Sequence, residues 1–281
     1  MRNGHKSCWR RFGATILLAG LLAGCGGKAE RAPRSRGRAA PSQAVLDAGY
    51  VALESQQYNE AIAKADEFLA GSSHGAGSAE ALYLKGRGFE GKNLAGVEDA
   101  AEAAANLQSA RTAYTLALSL NPRQPLDAYL RTSLGNVAYF QDDYRTAIAQ
   151  LTTAYDNLDR DDLKAWALYR VGLCQQRLGN FADADRTFAT VVQRHPQTIP
   201  AQRASEHRGA TAFYVQLATF ASPAAADKAI AELKREGVRA ARVAGPEGRA
   251  FLRVGPISSY AQAQYTKNRF RVRYPDALVL P

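Results

Sequence analysis

Two spellings in this 281-residue chain are those of loops that carry chemistry. Gly86-Arg87-Gly88-Phe89-Glu90-Gly91 reads G-x-G-x-x-G. That pattern cradles a pyrophosphate when it follows a strand and opens a helix inside a βαβ unit. Gly71-Ser72-Ser73-His74-Gly75 reads G-x-S-x-G, which presents a serine nucleophile on a strand-to-helix turn. Both lack their context. Ala79–Lys85 and Glu60–Ala70, which precede them, are rich in Ala and Leu and read as helices. The histidines His5, His74, His195 and His207 have no ligand-like spacing to another His, a Cys or a carboxylate cluster, so no metal is expected. No pair of carboxylates is placed for glycan cleavage. Cofactor binding and catalysis are therefore not expected, and Asp142-Asp143 reads as a solvated loop.

A different set of side chains suits recognition. Tyr214, Gln216, Phe251 and Arg253 lie on two stretches of strand character near the end of the chain, Phe213–Phe220 and Phe251–Pro256. Strand alternation sends Val215, Leu217, Leu252 and Val254 to one face. It leaves Tyr214, Gln216, Ala218, Phe251 and Arg253 on the other. Rings that stack on pyranose C–H faces, beside an amide and a guanidinium, suit a sugar carrying N-acetyl and carboxylate groups. Thr219 adds a hydroxyl at the strand end.

The elements that hold these residues follow from the intervening sequence. Ser222-Pro223 starts a helix with Pro in its first turn, and Ala226, Ile230 and Leu233 carry its apolar spacing up to Gly237. Val238–Val243 reads as a second strand, although Val238 and Val243 differ in parity, which a bulge would reconcile. Gly245–Gly248 is a turn, Ser258-Ser259 caps a helix running to about Val272, and Ala277–Leu280 is a last strand. The order is βαββαβ, an α/β unit with two helices on one sheet face, as in ferredoxin-like folds.

The run Tyr214–Phe220, a helix ending at Gly237-Val238, and Arg253-Val254-Gly255-Pro256-Ile257 together resemble the SPOR (sporulation-related repeat) domain. The resemblance covers about the last quarter of the chain and departs where Thr219 replaces the Ser common in the family. It implies binding of peptidoglycan glycan strands stripped of stem peptides, through the sheet face that the helices leave open. A four-stranded face with aromatics also binds RNA in other proteins. The N-terminus argues against nucleic acid here.

Residues 1–24 carry Arg2, Lys6, Arg10 and Arg11 before an eleven-residue apolar run, Phe12–Leu22. That length suits a signal-peptide core and is too short to span a bilayer. The run ends Leu22-Ala23-Gly24-Cys25, which resembles the lipobox of bacterial lipoproteins. The resemblance implies cleavage before Cys25, acylation there and a membrane anchor. Gly26, where an inner-membrane retention signal would place Asp, implies the periplasmic face of an outer membrane. Cysteine usage is consistent: Cys8 leaves with the signal, Cys25 takes the lipid and Cys174 has no partner. Residues 26–41, rich in Gly, Ala, Pro and Arg, read as a disordered tether, and these sixteen residues fully extended reach roughly 50 Å.

Charge is unevenly spread. The formal total is +10, and residues 211–281 hold eleven Lys/Arg against five Asp/Glu. The basic terminal module suggests an anionic partner. Residues 42–210 are net acidic and repeat. Gly49 to Ala61, Gly135 to Ala147 and Gly172 to Ala184 each place Gly and Ala twelve residues apart, with Tyr58, Tyr144 and Phe181 three residues before the Ala. A fourth copy, Gly86 to Ala110, has Leu107 at the aromatic position and a gap twelve residues too long, an insertion over about 91–105. Further positions align as Ala65, Tyr114, Leu151 and Phe188, then Phe68, Ala117, Ala154 and Val191. This pattern resembles the tetratricopeptide repeat (TPR), a helix–turn–helix of about 34 residues. Four copies make a solenoid, Asp161 is expected to cap the last of them, and residues 200–208 form a capping helix. The resemblance implies a groove for a protein or peptide partner.

The sequence thus points to a multi-domain chain: 1–24 signal, 25–41 lipidated Cys and linker, 42–210 an all-α TPR-like solenoid, and 211–281 a small α/β SPOR-like domain. The expected function is non-enzymatic binding of peptidoglycan and a protein partner, in envelope growth or division. The alternative is a periplasmic scaffold for outer-membrane protein assembly or for regulating peptidoglycan enzymes, in which the terminal domain is only a tether.

Overall fold

The computed structural model describes residues 42–72, 75, 77–97 and 99–281. Cys25 and the N-terminal segment lie outside the described residues, as do Ser73 and His74 of the G-x-S-x-G spelling. The described residues divide into two compact units, one up to residue 126 and one from 127 to 281.

The first unit holds α1 (Gln43–Glu54), α2 (Tyr58–Gly71), α3 (Ser78–Leu94) and α4 (Ala100–Ser119), two helix hairpins whose neighbours pack on one another. The twelve inserted residues go mostly into helix. Three extend the end of α3 and seven extend the start of α4. Two lengthen the loop between them, where Asp99 caps α4 through the Ala101 amide at 2.8 Å.

The second unit begins within α5 (Leu126–Phe140) and continues with α6 (Tyr144–Tyr155), α7 (Asp161–Arg177), α8 (Phe181–Arg194) and the short α9 (Ile199–His207). Helix α9 is capped by Thr198 and packs on α7 and α8. Asp161 is not the cap of α7. Arg160 occupies that position, and Asp161 and Asp162 fill the first turn, where the helix dipole favours acids.

The repeat spacing has a direct packing cause. All twelve aligned positions of the second helices, from Ala61 to Val191, are buried. Each repeat glycine makes room for a large side chain. A Cβ at Gly86 would stand 2.3 Å from the Tyr114 ring, at Gly135 2.6 Å from Leu151, and at Gly172 2.5 Å from the Phe188 ring. In the first copy the large position is Ala65, and Leu84 of the next hairpin fills the space over Gly49 instead.

The turns inside three hairpins are alike. Gln56, Asp142 and Gly179, each two residues before the aromatic, adopt positive φ of 61°, 59° and 82°. The next amide then bonds back five residues: Gln57 to Ala52, Asp143 to Ala138 and Asn180 to Gln175, at 2.8–2.9 Å. Asp142-Asp143 is therefore a structured turn and not merely a solvated loop. The Asp142 carboxylate accepts from the Tyr144 hydroxyl, and Asp143 caps α6 through the Thr146 amide.

The G-x-G-x-x-G spelling lies inside α3. Cβ atoms at Gly88 and Gly91 would meet Ile62 and Tyr58 of α2 at 2.6 and 2.3 Å, so these glycines serve a close helix crossing. Glu90 is buried and accepts from the Tyr114 hydroxyl at 2.8 Å, with Arg87 Nε 3.6 Å away. Burial and then the Glu90 charge push the Tyr114 phenol well above its usual range.

The end of the second unit is the βαββαβ module: β1 (Phe213–Phe220), α10 (Pro223–Arg235), β2 (Ala240–Ala244), β3 (Ala250–Ile257), α11 (Tyr260–Arg269) and β4 (Leu278–Leu280). The sheet order is β2-β3-β1-β4, with every neighbouring pair antiparallel. Ser222 and Ser259 cap the two helices. Helix α10 ends before Gly237, which is left-handed at φ 75°. Helix α11 ends at Arg269, three residues short of the expected Val272, and turns follow it. Val215, Leu217, Leu233, Leu252, Ala263 and Phe270 form the core between sheet and helices. Each fully buried Val or Leu side chain there contributes about 1.5–3 kcal/mol.

The second strand starts two residues later than expected. Val238 lies before it and packs into the core, so the parity conflict between Val238 and Val243 disappears without a bulge in β2.

Candidate functional site

The open face is built on the two central strands, β1 and β3. Gln216 stands opposite Arg253, and Thr219 opposite Phe251. The bulge lies in β1. Register breaks between Gln216 and Ala218, so Leu217 and Ala218 together oppose Leu252. Residues paired across an antiparallel ladder share a face. Ala218 thus joins the core side with Leu252, a correction to strict alternation, and Thr219 joins the open side with Phe251. Phe220, opposite the buried Ala250, packs on the core.

Across the ladder, Arg253 Nε donates to Gln216 Oε1 at 3.2 Å. The guanidinium carbon lies 5.5 Å from the centroid of the Phe251 ring, within cation–π range. This geometry holds the guanidinium on the face while leaving its two terminal nitrogens, and the Gln216 amide nitrogen, without a protein acceptor among the described residues. Four carboxylates of the domain are engaged by other arginines. Arg242 pairs with Asp227 at 2.9 Å, Arg249 with Glu247 at 3.2 Å, and Arg273 with Glu232 and Glu236 at 2.6 and 2.8 Å. Arg253 is bound by no carboxylate among the described residues.

Tyr214 lies at the other end of the face. Its ring covers Gly255, where a Cβ would stand 2.7 Å from Tyr214 Cδ1. Glycine is required there for the close approach and for its φ of 147°. Tyr214 and Phe251 thus stand on either side of the Gln216–Arg253 pair along the strands, at 3.3 Å or so per residue. All five residues expected from the sequence, Tyr214, Gln216, Thr219, Phe251 and Arg253, share the open face.

The structure adds side chains from the two outer strands. Ala241 and Val243 of β2 are paired with Arg253 and Phe251, and Leu278 and Leu280 of β4 with Gln216 and Tyr214. Leu278 is half exposed. The period-2 pattern of β4 and the register of β2 against β3 carried this signal, but the misplaced start of β2 hid Val243. An amide and a cation between two rings, with a hydroxyl beside one of them, can hold a carboxylated, N-acetylated sugar by hydrogen bonds and stacking. Among the described residues no group of three His, Cys, Asp or Glu could hold a metal.

Residues 209–281 match the family model of the SPOR domain. The terminal module is a SPOR domain. The comparison with curated proteins finds no match. Among solved structures, the chain is similar to a thermophilic TPR protein of Thermus thermophilus. Identity is 16% and the TM-score is 0.46, over 59% of this chain and 80% of that one. The TPR-like reading of the helical part rests on its own hairpins and their glycine-to-ring packing. The five face residues all fall inside the SPOR domain, and none lies in the helical repeats.

Proposed function

We propose that the SPOR domain binds peptidoglycan glycan strands from which stem peptides have been removed. In this reading the chain is a non-enzymatic lipoprotein, anchored through Cys25 on the periplasmic face of the outer membrane. Its repeats bind a protein partner in envelope growth or division. The observation that carries the glycan reading is the Gln216–Arg253 pair, uncommitted to any carboxylate and flanked by Tyr214 and Phe251. Removing a stem peptide turns the lactyl amide of muramic acid into a free carboxylate. That new charge is what Arg253 is placed to accept, and the net charge of residues 211–281 favours it.

The test is pelleting of the chain with sacculi before and after amidase treatment. Amidase-treated sacculi are expected to pellet more protein. A charge-assisted bond is worth about 1.5–3 kcal/mol, so Arg253→Ala is expected to weaken binding by roughly tenfold to a hundredfold. Gln216→Ala removes the partner that orients Arg253 and acts in the same direction. Added salt weakens binding, because the contact is exposed and screened. Equal pelleting of treated and untreated sacculi, or none with treated sacculi, defeats the denuded-glycan reading.

A further inference from the structure

The clearest feature that the glycan reading does not absorb is the seam between α7–α8 and the SPOR domain. Arg177, at the last turn of α7, is half-buried among three rings. Its guanidinium carbon lies 4.4 Å from the centroid of Tyr139, 5.4 Å from Tyr144 and 4.5 Å from Tyr260. Tyr139 and Tyr144 belong to the helical repeats and Tyr260 opens α11 of the SPOR domain. Arg177 Nη1 also donates to the Tyr144 hydroxyl at 3.1 Å, which fixes the plane of the fork. Beside it, Phe181 lies 5.2 Å from Phe213, and Phe213 lies 5.5 Å from Tyr260. Phe181 is the aromatic of the last repeat and packs on β1, and Tyr144, at the same position of the preceding repeat, meets Tyr260 with centroids 6.3 Å apart. The α7–α8 turn abuts the end of β3: a Cβ on Gly179 would stand 3.6 Å from the Ser258 carbonyl oxygen. A cavity of about 100 Å³ remains in the seam, lined by Leu173, Gln176, Arg177, His207, Phe213 and Tyr260 among others.

The seam meets the site at one end of the sheet. Phe213 adjoins Tyr214 and pairs with Ile257, and Gly255 lies under the Tyr214 ring. The β1–β3 ladder is irregular there, with a register shift between Phe213 and Val215. The pairing of β1 with β3 is thus less regular at the Tyr214 end than at Thr219–Phe220, and the short β4 pairs with Tyr214–Gln216 on the other side. We propose that Arg177, with Phe181, is a positioning residue for the glycan face: the helical repeats clamp the Tyr214 end of the sheet through Tyr260 and Phe213. The SPOR domain is then a fixed extension of the last repeat, and a partner on that repeat is held at a set place relative to the glycan. The functional half of this inference rests on the glycan reading above.

Hydrogen exchange on the full chain tests it, together with sacculus pelleting. Arg177→Ala and Tyr260→Ala should each speed exchange of the amides of Phe213–Val215, Val254, Gly255 and Ile257 by a few-fold to about thirtyfold, the range of a cation–π contact from exposed to desolvated. Exchange at Phe251 and Leu252 should stay unchanged. Tyr260→Phe keeps the ring and loses only the bond its hydroxyl accepts from Gln264 within α11, so it should stay close to the wild type at these amides. Tyr260 belongs to α11 and not to a repeat helix, so its alanine variant reports on the seam even where Arg177→Ala loosens α7. Both alanine variants should bind amidase-treated sacculi several-fold more weakly although neither residue is on the open face. Unchanged exchange in both variants, or an equal rise at Phe251 and Leu252, overturns the clamp. Should the wild type fail to pellet with treated sacculi, the glycan reading falls while exchange still decides the seam.

Discussion

Gly172→Ala is the sharpest test of why glycine recurs in these repeats. Taken alone, the change should help, because Ala is favoured over Gly in a helix interior by about 1 kcal/mol. The structure predicts the opposite sign. The new Cβ would stand 2.5, 2.8 and 3.0 Å from three atoms of the Phe188 ring. That ring is fully buried and held by Tyr169 and His207, with centroids 5.9 and 5.3 Å away, so it has no free direction in which to withdraw. Overpacking of this kind costs about 1–3 kcal/mol. The net effect is a loss of about 1 kcal/mol, or roughly 2–4 °C in melting temperature for a unit of this size.

The companion change separates the two contributions. Phe188→Ala should cost about 3–5 kcal/mol by opening a cavity. In that background Gly172→Ala no longer meets a ring, so only the helix gain remains and the substitution becomes stabilising by up to about 1 kcal/mol. The sign of one substitution therefore reverses with the partner residue, a coupling of about 1–3 kcal/mol. Urea midpoints at constant slope on the four proteins measure it. If Gly172→Ala raises the midpoint in both backgrounds, the glycine is not there to admit the ring, and the packing account of the repeat is wrong.

Other outcomes follow from single groups. Burial, reinforced by Arg177 and Arg203 and opposed by Glu206, lowers the His207 imidazole below its ordinary range. The folded chain then favours neutral His207, so its contribution is fully present above about pH 6.5 and is lost as pH falls toward the lower folded value. The melting temperature should drop between about pH 7 and pH 5, and by less in His207→Gln; equal drops refute the assignment. The Cys174 thiol is buried and pushed up to about 12, so an alkylating reagent at about pH 8 should modify it in urea and leave it untouched in the folded protein, as read by mass spectrometry. Cys25→Ala should abolish membrane fractionation and leave the precursor uncut, and a mature-length mutant that still sediments with membranes refutes the lipid anchor.

The parts legible in the sequence are those where one local rule dominates. Ser222-Pro223 and Ser259 marked helix starts because a side-chain oxygen beside an orphan amide is a local event. The Gly–Ala spacing exposed the repeats because close crossings leave a fixed footprint in residue size. The places it missed are those decided by two segments at once. Asp142 reads as a solvated acid until its left-handed backbone and its bond from Tyr144 are seen. The start of β2 depends on which residue of β3 it meets. Phe181 reads as a repeat aromatic, and nothing in its own neighbourhood says that it packs on β1.

The same division governs the candidate site. Tyr214, Gln216, Phe251 and Arg253 were placed by alternation alone, which holds while a ladder is regular. Thr219 could not be. By parity it belongs with Val215 and Leu217 on the helix side, and as an exposed threonine at a strand end it would carry no information about sugar. The bulge at Leu217 and Ala218 moves it. Both residues face Leu252, the strand gains one residue against its partner, and the next side chain emerges opposite Phe251 on the open face. Leu217 stays buried and Phe220 keeps its place against the core, so the core loses nothing by the shift. The bulge therefore adds a hydroxyl to the ring-and-guanidinium end of the face while leaving the Gln216–Arg253 pair in register. A regular strand of the same sequence could not do both, because bringing Thr219 to the open side would carry Gln216 to the core with it.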